Sequence, residues 1–366
     1  MNDSFEYIFP AIRGVQARRE YYVSMCPLRL IPKIFIFNEE ELTPELRAQR
    51  VLNKSRLPEI AQYILNNRND YTFSAITASI DANIRFEPFA SEGDPRRLGL
   101  LHIPMSARFV INDGQHRRAA IEIALRENPE IADESIAVVF FLDIGLERCQ
   151  QMFADLNRYA IRPSKSLGVL YDHRDDGAQL AKLIVYKSPI FRDVVDVEHS
   201  TLSLKSRKLF TLSAIYTATG ALFSNIEQFS IEEQTSIAVE FWDEVARCFP
   251  EWQLVRNRKM AASDVRRDFI HSHATALQAI GKTGNILFLE HKKSWKRRIA
   301  KLKTIDWSRA NVRLWEGRAM IGGRVSKATH NVTLVTNAIK QQLGLPLGPE
   351  ERVVEDNFLR REEINE

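Results

Sequence analysis

Cysteine is scarce in this chain, with three residues among 366, at positions 26, 149 and 248. Their odd number and wide spacing argue against a disulfide framework, a zinc site or a cysteine-bound iron–sulfur cluster. Cys26 lies between Met25 and Pro27, neither of which is a group that lowers a thiol pKa. We therefore interpret Cys26 as a small buried hydrophobe, and we predict no metal site.

Long apolar runs are also missing. No run approaches the roughly 18 residues that a membrane-spanning helix needs. The first residues, MNDSFEYIFPAIRG, lack the basic region and the apolar region of a secretory signal. We therefore expect a cytoplasmic protein that does not bind membranes.

The common phosphate-binding loops are absent as well. The chain contains no Walker A sequence, and no Gly-x-Gly-x-x-Gly follows a predicted strand. These absences argue against the usual kinase, P-loop and dinucleotide-dependent redox enzymes.

The chain does contain a polar strand-to-helix junction, FVINDGQHRRAAIEIAL, at residues 109–125. An apolar run ends at Asn112, a turn follows at Gly114, and apolar residues then recur every three or four positions. Backbone N–H groups at a helix N-terminus attract anions, and guanidinium groups strengthen that attraction. We predict a phosphate site in which Gly114 allows close approach and Asp113 orients arginine; its ligands are Gly114, Gln115, His116 and Arg117. The alternative is a plain junction with solvated side chains.

The pattern of apolar residues predicts an α+β protein. Strand and helix signals alternate through residues 1–165, where SIAVVFFLDI is typical of a strand buried on both faces. The segment REYYVSMCPLRLIPKIFIFN predicts two strands. Helical spacing dominates residues 166–348, where Gly281 and Gly284 suggest helix ends. Residues 349–366 form an acidic tail, which we expect to be solvated.

Positive charge is concentrated in the second half of the chain. The net charge is only +4, yet residues 254–340 hold 19 Lys and Arg against 5 Asp and Glu. Such a block is the electrostatic signature of a polyanion partner. Seven of these cations lie within residues 291–303, beside Trp295, with Trp307, Trp315 and Arg318 further on. We predict that DNA contacts Lys292, Lys293, Lys296, Arg297, Arg298, Lys301, Lys303, Arg309 and Arg313. The alternative is a solvated helix face whose tryptophans are core residues.

Two weaker patterns leave alternatives open. Residues 203–208 and 256–267 carry further cations that either extend the basic surface or are ordinary helix charges: Lys205, Arg207, Lys208, Arg256, Arg258, Lys259, Arg266 and Arg267. The cluster Asp172, His173, Asp175 and Asp176 has the residue types of a divalent-metal site, although polar helix ends supply such clusters by chance. No helix-turn-helix pattern identifies a base-reading helix.

The junction resembles a conserved box of the ParB/sulfiredoxin superfamily, in which the corresponding loop binds nucleotide phosphates. Gln115 stands where sulfiredoxins have their reactive cysteine, so sulfinic-acid repair is not expected. The resemblance implies a ParB/sulfiredoxin-like α/β domain at the N-terminus and a larger, mostly helical domain after it. It also adds Arg56, Asn157 and Arg158 to the predicted phosphate ligands.

Over nearly the whole chain the sequence resembles the DndB family of bacterial DNA phosphorothioation clusters. The segments INDGQHRRAAI, FADLNRYAIRPSKSLGVLYDHRD, LSLKSRKLFTLSAIYTAT and NVTLVTNAIKQQLGLPL carry this resemblance in the same order. It implies a DNA-binding repressor of those genes, with promoter DNA as its partner, a homo-oligomeric state and no required cofactor.

An enzyme is the alternative that the same residues leave open. By analogy with nucleotide-hydrolysing ParB proteins, a DNA-stimulated NTPase with DNA-nicking activity would use Asp113, His116 and Arg117, with ATP or CTP and Mg²⁺ bound. A third alternative is a scaffold whose basic surface meets an acidic protein partner.

Overall fold

The computed structural model describes residues 5–35, 54–142, 151–152, 154–156, 163–226 and 228–365. The chain divides into two compact units, Met1–Ile161 and Arg162–Glu366. The first unit contains a large sheet with helices, and the second is mainly helical, so the predicted α+β class is confirmed. Among the residues that the structure describes, no helix has both the length and the apolar character needed to cross a bilayer.

The first unit contains a seven-stranded sheet. Its strands are β1 (Glu6–Gln16), β2 (Arg19–Pro27), β3 (Ile76–Asp81), β4 (Arg85–Pro88), β5 (Leu98–Pro104), β6 (Arg108–Asp113) and β7 (Ser135–Leu142). Their order is β4-β5-β1-β2-β7-β3-β6, and neighbours are antiparallel except for the parallel pair β3 and β7. Junction residues therefore leave the sheet at one of its edges, at the end of β6.

Helices cover one face of this sheet. They are α1 (Ile31–Ile34), α2 (Leu57–Asn66) and α3 (Gln115–Glu127). Ile64 of α2 and Ile121 of α3 share a buried cluster with Phe9, Val138 and Phe140 of the strands. Burial of these apolar side chains is the main source of stability in the unit.

Two strand predictions in this unit need correction. Strand β7 buries Ile136, Val138 and Phe140, while the side chains between them are half-buried, so only one of its faces is fully buried. Where the second strand of residues 19–38 was predicted, Ile31–Ile34 form helix α1, because Pro32 in its first turn favours helix initiation, and residues 36–38 lie outside the described residues.

The second unit is built from helices and short strand pairs. The helices are α4 (Lys165–Tyr171), α5 (Asp176–Lys187), α6 (Leu212–Leu222), α7 (Ile231–Ala246), α8 (Pro250–Arg256), α9 (Ala262–Asp268), α10 (Ala274–Glu290), α11 (Trp295–Ile299), α12 (Val312–Trp315), α13 (Thr329–Leu343) and α14 (Pro349–Asn365). The short strands are β8 (Val195–Asp196), β9 (Phe210–Thr211), β10 (Met320–Ile321) and β11 (Arg324–Val325).

Helix α10 is the centre of the second core and packs against α6 and α13. Gly281 and Gly284 lie inside α10, so the predicted helix ends at these glycines were wrong. A Cβ atom at Gly281 would come within 2.3 Å of the Ala218 carbonyl oxygen. Glycine is needed there because the backbones of α10 and α6 approach closely.

The acidic C-terminal segment is not a solvated tail along the part that the structure describes. It forms helix α14, which packs on α13, and the side chains of Glu355 and Phe358 are buried. The predicted solvation of all its acids was wrong, because Glu355 has a buried cationic partner.

Candidate anion site and basic segment

The junction at Asp113–Arg117 is built as its sequence predicts. Strand β6 ends at Asp113, Gly114 has a φ of 108°, and α3 begins at Gln115. A side chain at Gly114 would be strained at this φ, and its Cβ would lie 3.0 Å from Cγ1 of Ile76. The first intrahelical bond runs from the Arg118 N–H to the Gly114 carbonyl at 2.9 Å. Because Gly114 has no side chain to cap the helix, the positive end of α3 lacks the usual acceptor.

Arg117 is held by two residues next to the turn. Its guanidinium donates to Oδ2 of Asp113 at 2.5 Å, to the Ser74 carbonyl at 2.9 Å and to the Ser74 hydroxyl. The Arg117 side chain is 15% exposed, whereas that of Asp113 is 45% exposed. Asp113 therefore orients Arg117 and neutralises part of its charge.

The neighbouring residues Arg118 and Gln115 have partners elsewhere in the unit. Arg118 turns inward and donates to the Phe35 and Pro32 carbonyls at 2.9 and 3.2 Å. The Gln115 amide is buried and donates to the Ile111 carbonyl at 3.2 Å. Because its side-chain amide is occupied in this way, Gln115 can contribute to anion binding through its backbone N–H.

His116 and Arg56 are brought close enough to interact electrostatically. Burial lowers the pKa of His116, the positive charge of Arg56 lowers it further, and Asp113 opposes the shift. Arg56 is exposed and directly precedes α2, which packs on α3. The structure therefore gathers Arg56, His116 and the N-terminus of α3. The other two predicted ligands, Asn157 and Arg158, lie outside the described residues.

The protonation of His116 provides a test of this arrangement. We expect Arg56→Ala to raise the pKa of His116, because one of the positive charges that disfavour the imidazolium is removed. We expect inorganic phosphate to raise it as well if the anion binds beside the ring. The measurement is an NMR titration of the His116 ring protons.

The lowered pKa of His116 also makes the stability of the folded state depend on pH. The unfolded state, with a pKa near 6.5, takes up the proton first, so stability from neutral His116 is present above that pH and declines below it. Arg126→Ala, at the far end of α3, is the matched control and should leave the pKa of His116 unchanged. An unchanged pKa in Arg56→Ala would contradict the proximity of the two residues.

The second candidate site is the basic segment, defined here as residues 292–303. It begins after α10, runs through α11 and ends in a 3-10 helix at Ala300–Thr304. Five of its cations are exposed and have no carboxylate partner within the described part of the chain: Lys292, Lys293, Arg297, Lys301 and Lys303. These five side chains present uncompensated positive charge to solvent.

Three of the nine predicted DNA contacts have partners within the protein. Arg298 donates to the Leu343 and Gly344 carbonyls at 3.0 and 3.3 Å, where α13 ends. Arg309 donates to the Arg267 and Gly323 carbonyls at 3.0 and 2.5 Å. Lys296 forms ion pairs with Glu240 and Glu244 of α7. Arg313, in α12, remains exposed.

The tryptophans near the basic segment belong to the core. Trp315 is fully buried, Trp307 is nearly so, and their rings stack at 5.1 Å. Their indole N–H groups donate to the Asp306 and Leu302 carbonyls at 2.8 and 2.9 Å. These two tryptophans are therefore core residues, as the alternative interpretation of the segment predicts, and their buried rings are not accessible for stacking on DNA bases.

Some of the further cations within residues 203–267 have partners in the protein, and others are exposed. Arg266 donates to the Ser203 and Lys208 carbonyls, the first at 2.8 Å, and Arg267 pairs with Asp264 and Asp268. Lys208 donates to the Asp193 carbonyl at 2.8 Å. Arg267 is nevertheless exposed, as are Lys205, Arg207, Arg256, Arg258 and Lys259.

The aspartates near residue 172 act as caps. Asp172 accepts from the Arg174 and Asp175 N–H groups at 2.9 and 3.0 Å, and these hydrogen bonds lower its pKa. Asp175 caps α5 at the Gly177 N–H and accepts from the Tyr216 hydroxyl at 2.7 Å. Within the described ranges, no group of three or more His, Cys, Asp or Glu side chains has the arrangement of a metal site.

Two compact units, one with a glycine turn that opens a helix and one with an exposed basic segment, define a two-part α+β protein. The chain belongs to the DndB family, described as DNA-sulfur modification-associated, whose sequence model matches residues 9–346. No curated protein and no solved structure matches the chain. The resemblance of the first unit to ParB and sulfiredoxin folds therefore stays a prediction.

Proposed function

We propose that this protein is a DNA-binding transcriptional regulator that represses the genes of a DNA phosphorothioate modification cluster. Membership of a family associated with DNA sulfur modification supports the biological setting. The observation that supports DNA as the partner is the set of exposed cations in the basic segment. No step of sulfur transfer is assigned to the chain.

The basic segment supplies affinity for the phosphate backbone. Its five exposed cations lie within twelve residues, and DNA carries one negative charge about every 1.7 Å along its axis. Each cation that neutralises a phosphate releases a counterion, which favours binding at low salt. Lys296 and Arg298 hold the segment on α7 and at the end of α13, so its exposed side chains start from a fixed backbone.

The N-terminus of α3 supplies a second anion contact in this proposal. The uncapped helix start and the nearby Arg56 and His116 favour a phosphate group, from DNA or from a free nucleotide. Arg117 gives up part of its interaction with Asp113 when the anion binds. Duplex operators are commonly bound by symmetric dimers, so the proposal includes a homo-oligomer.

A gel-shift titration on the promoter of the modification genes tests the role of the basic segment. We expect the variant Lys293→Ala/Arg297→Ala/Lys301→Ala to lose affinity and to lower the slope of log K against log salt by about 3, near 0.9 for each lost phosphate contact. The matched control is Lys187→Ala/Arg192→Ala/Arg360→Ala, which removes three exposed cations elsewhere in the same unit. The control should bind as the wild type does.

Several outcomes would contradict the proposal. Equal binding to promoter and scrambled DNA would contradict the proposed role as a promoter-specific regulator. An unchanged salt slope in the triple variant would contradict the proposed DNA contact of the basic segment. ATP and CTP are added in parallel with a phosphate-release assay. If DNA stimulates phosphate release and this activity disappears in Arg117→Ala, the protein is an NTPase whose active site is the junction, and the repressor proposal is wrong.

A further inference from the structure

The β1–β2 hairpin extends beyond the sheet of the first unit. Strand β1 pairs with β5 through Glu6–Ile12, and β2 pairs with β7 through Tyr21–Pro27. Beyond Ile12, β1 pairs only with β2: Arg13 and Gly14 lie opposite Tyr22 and Tyr21, which also pair with β7, and the last two pairs, Val15–Glu20 and Gln16–Arg19, lie beyond both neighbouring strands. Residues 13–20 are therefore a two-stranded ribbon, called the ribbon below.

The tip of the ribbon has a backbone that its sequence does not favour. Gln16 pairs with Arg19, and the two residues between them have positive φ angles, 49° at Ala17 and 65° at Arg18. Two positive φ angles in a two-residue loop are the pattern of a type I′ turn, for which Asn-Gly is preferred. Alanine and arginine are strained in this region, and such strain is concentrated at functional sites. The turn projects an arginine from the end of the ribbon.

The ribbon is stiffened along its length. A Cβ atom at Gly14 would lie 2.5 Å from Cζ of Tyr21, which shows that the tyrosine ring lies across the glycine. Arg13 forms an ion pair with Glu20 at 3.5 Å and lies 5.0 Å above the Phe86 ring. A two-stranded ribbon is otherwise marginally stable in water, so these contacts are what keep it extended.

Positive charge is grouped around the ribbon. Arg18 and Arg19 are exposed at its tip, and Arg96 and Arg97 are exposed in the loop beside it. Arg13 donates to the Arg96 carbonyl at 3.4 Å, which places that loop next to the base of the ribbon. The tip lies about 13 Å further along, at roughly 3.3 Å per strand residue. The DNA major groove is about 12 Å wide, which admits a two-stranded ribbon, and about 8.5 Å deep, so a ribbon of this length reaches the DNA base edges when its own base lies at the groove edge.

We infer that the ribbon is a second DNA contact, separate from the basic segment. Its tip enters the major groove with Arg18 and Arg19, while Arg96 and Arg97 bind phosphates at the groove edge. The inference rests on the DNA binding proposed above. It adds an element from the first unit that approaches the bases, which the basic segment does not do.

The test is a salt-dependent binding titration of Arg18→Ala/Arg19→Ala on duplex DNA. We expect about tenfold or greater loss of affinity near 100 mM salt, and a log–log slope lowered by up to about 2 if both side chains contact phosphates. A second variant, Ala17→Asn/Arg18→Gly, installs the preferred type I′ turn and removes the tip arginine. It should melt at the wild-type temperature or above it, yet bind more weakly.

Arg126→Ala is the control, since it removes an exposed arginine of the same unit that belongs to the last turn of α3 and not to the ribbon. Wild-type affinity and slope in both ribbon variants, with affinity lost in the basic-segment triple variant, would overturn the ribbon contact and leave the DNA-binding proposal standing. A wild-type protein that binds no DNA at 50 mM salt would overturn the DNA-binding proposal itself.

Discussion

Replacing Trp315 with alanine is expected to lower the free energy of unfolding by about 3–5 kcal/mol. The Trp315 side chain is fully buried, stacks on Trp307 at 5.1 Å and donates its indole N–H to the Asp306 carbonyl at 2.8 Å. The substitution removes the whole ring and leaves a cavity. It also leaves the Asp306 carbonyl without this donor. Urea or guanidinium unfolding at 25 °C, followed by tryptophan fluorescence and circular dichroism, measures the loss.

Trp315→Phe is the matched control for this prediction. It keeps an aromatic ring in the core, so it should cost clearly less than the alanine variant, mainly through the lost hydrogen bond and reduced volume. The result separates the two interpretations of these tryptophans. A Trp315→Ala variant with wild-type stability and weakened DNA binding would contradict the core interpretation and indicate that Trp315 stacks on DNA bases.

The junction shows what the sequence predicts well. A strand, a turn at Gly114 and a helix from Gln115 follow from signals within about ten residues, and the structure has each in that place. Asp113 was also expected to orient Arg117, and the structure pairs these two side chains across the Gly114 turn. Local pattern was sufficient because all of these contacts are local.

The direction of individual cations could not be predicted. Arg297 and Arg298 are neighbours in a run of basic residues, yet Arg297 is exposed and Arg298 reaches carbonyls at Leu343 and Gly344. The partner that turns Arg298 inward is 45 residues away in the sequence. Arg118 differs from Arg117 for the same reason, since its acceptors lie in and next to α1. Such distinctions depend on tertiary packing, which no local pattern encodes.

The ribbon was missed, and the tryptophans were left with two interpretations, for related reasons. The segment that starts at Arg19 predicts a strand, but only the register shows that the hairpin of β1 and β2 extends beyond the neighbouring strands. A basic sequence with interleaved tryptophans is compatible with DNA stacking or with burial, and the packing of α12 selects burial. One usable signal for the ribbon was present: a short apolar strand on each side of Ala17-Arg18-Arg19.

Replacing Glu355 with alanine is expected to cost about 3–5 kcal/mol, because it leaves Arg318 buried without its counter-ion. The two side chains form a two-point ion pair at 2.9 and 2.5 Å and are almost fully buried. Asn337 donates to the same carboxylate at 3.0 Å, and Arg318 lies 4.3 Å from the Phe358 ring centre. The pair therefore holds α14 against the rest of its unit. Thermal and denaturant unfolding measure the loss.

The pH dependence of stability gives an independent check on the same pair. Burial raises the pKa of Glu355, but the hydrogen bonds from Arg318 and Asn337 outweigh this and lower it below its usual value. Stability from the ionised carboxylate is thus complete above the unfolded pKa, near 4.5, and is lost as the pH falls through the lower folded value. The alanine variant should lose this acid-sensitive contribution, while Glu350→Ala, an acid in the exposed first turn of α14, should keep it.

The double variant Arg318→Met/Glu355→Leu distinguishes a buried charge penalty from a loss of packing. Apolar side chains of similar volume remove both charges, so the double variant should recover most of the stability that Glu355→Ala loses. If Glu355→Ala alone unfolds at the wild-type denaturant concentration, α14 contributes nothing to the core and the segment is a tail after all. If the double variant is as unstable as the single one, the geometry of the ion pair, and not its desolvated charge, holds the helix in place.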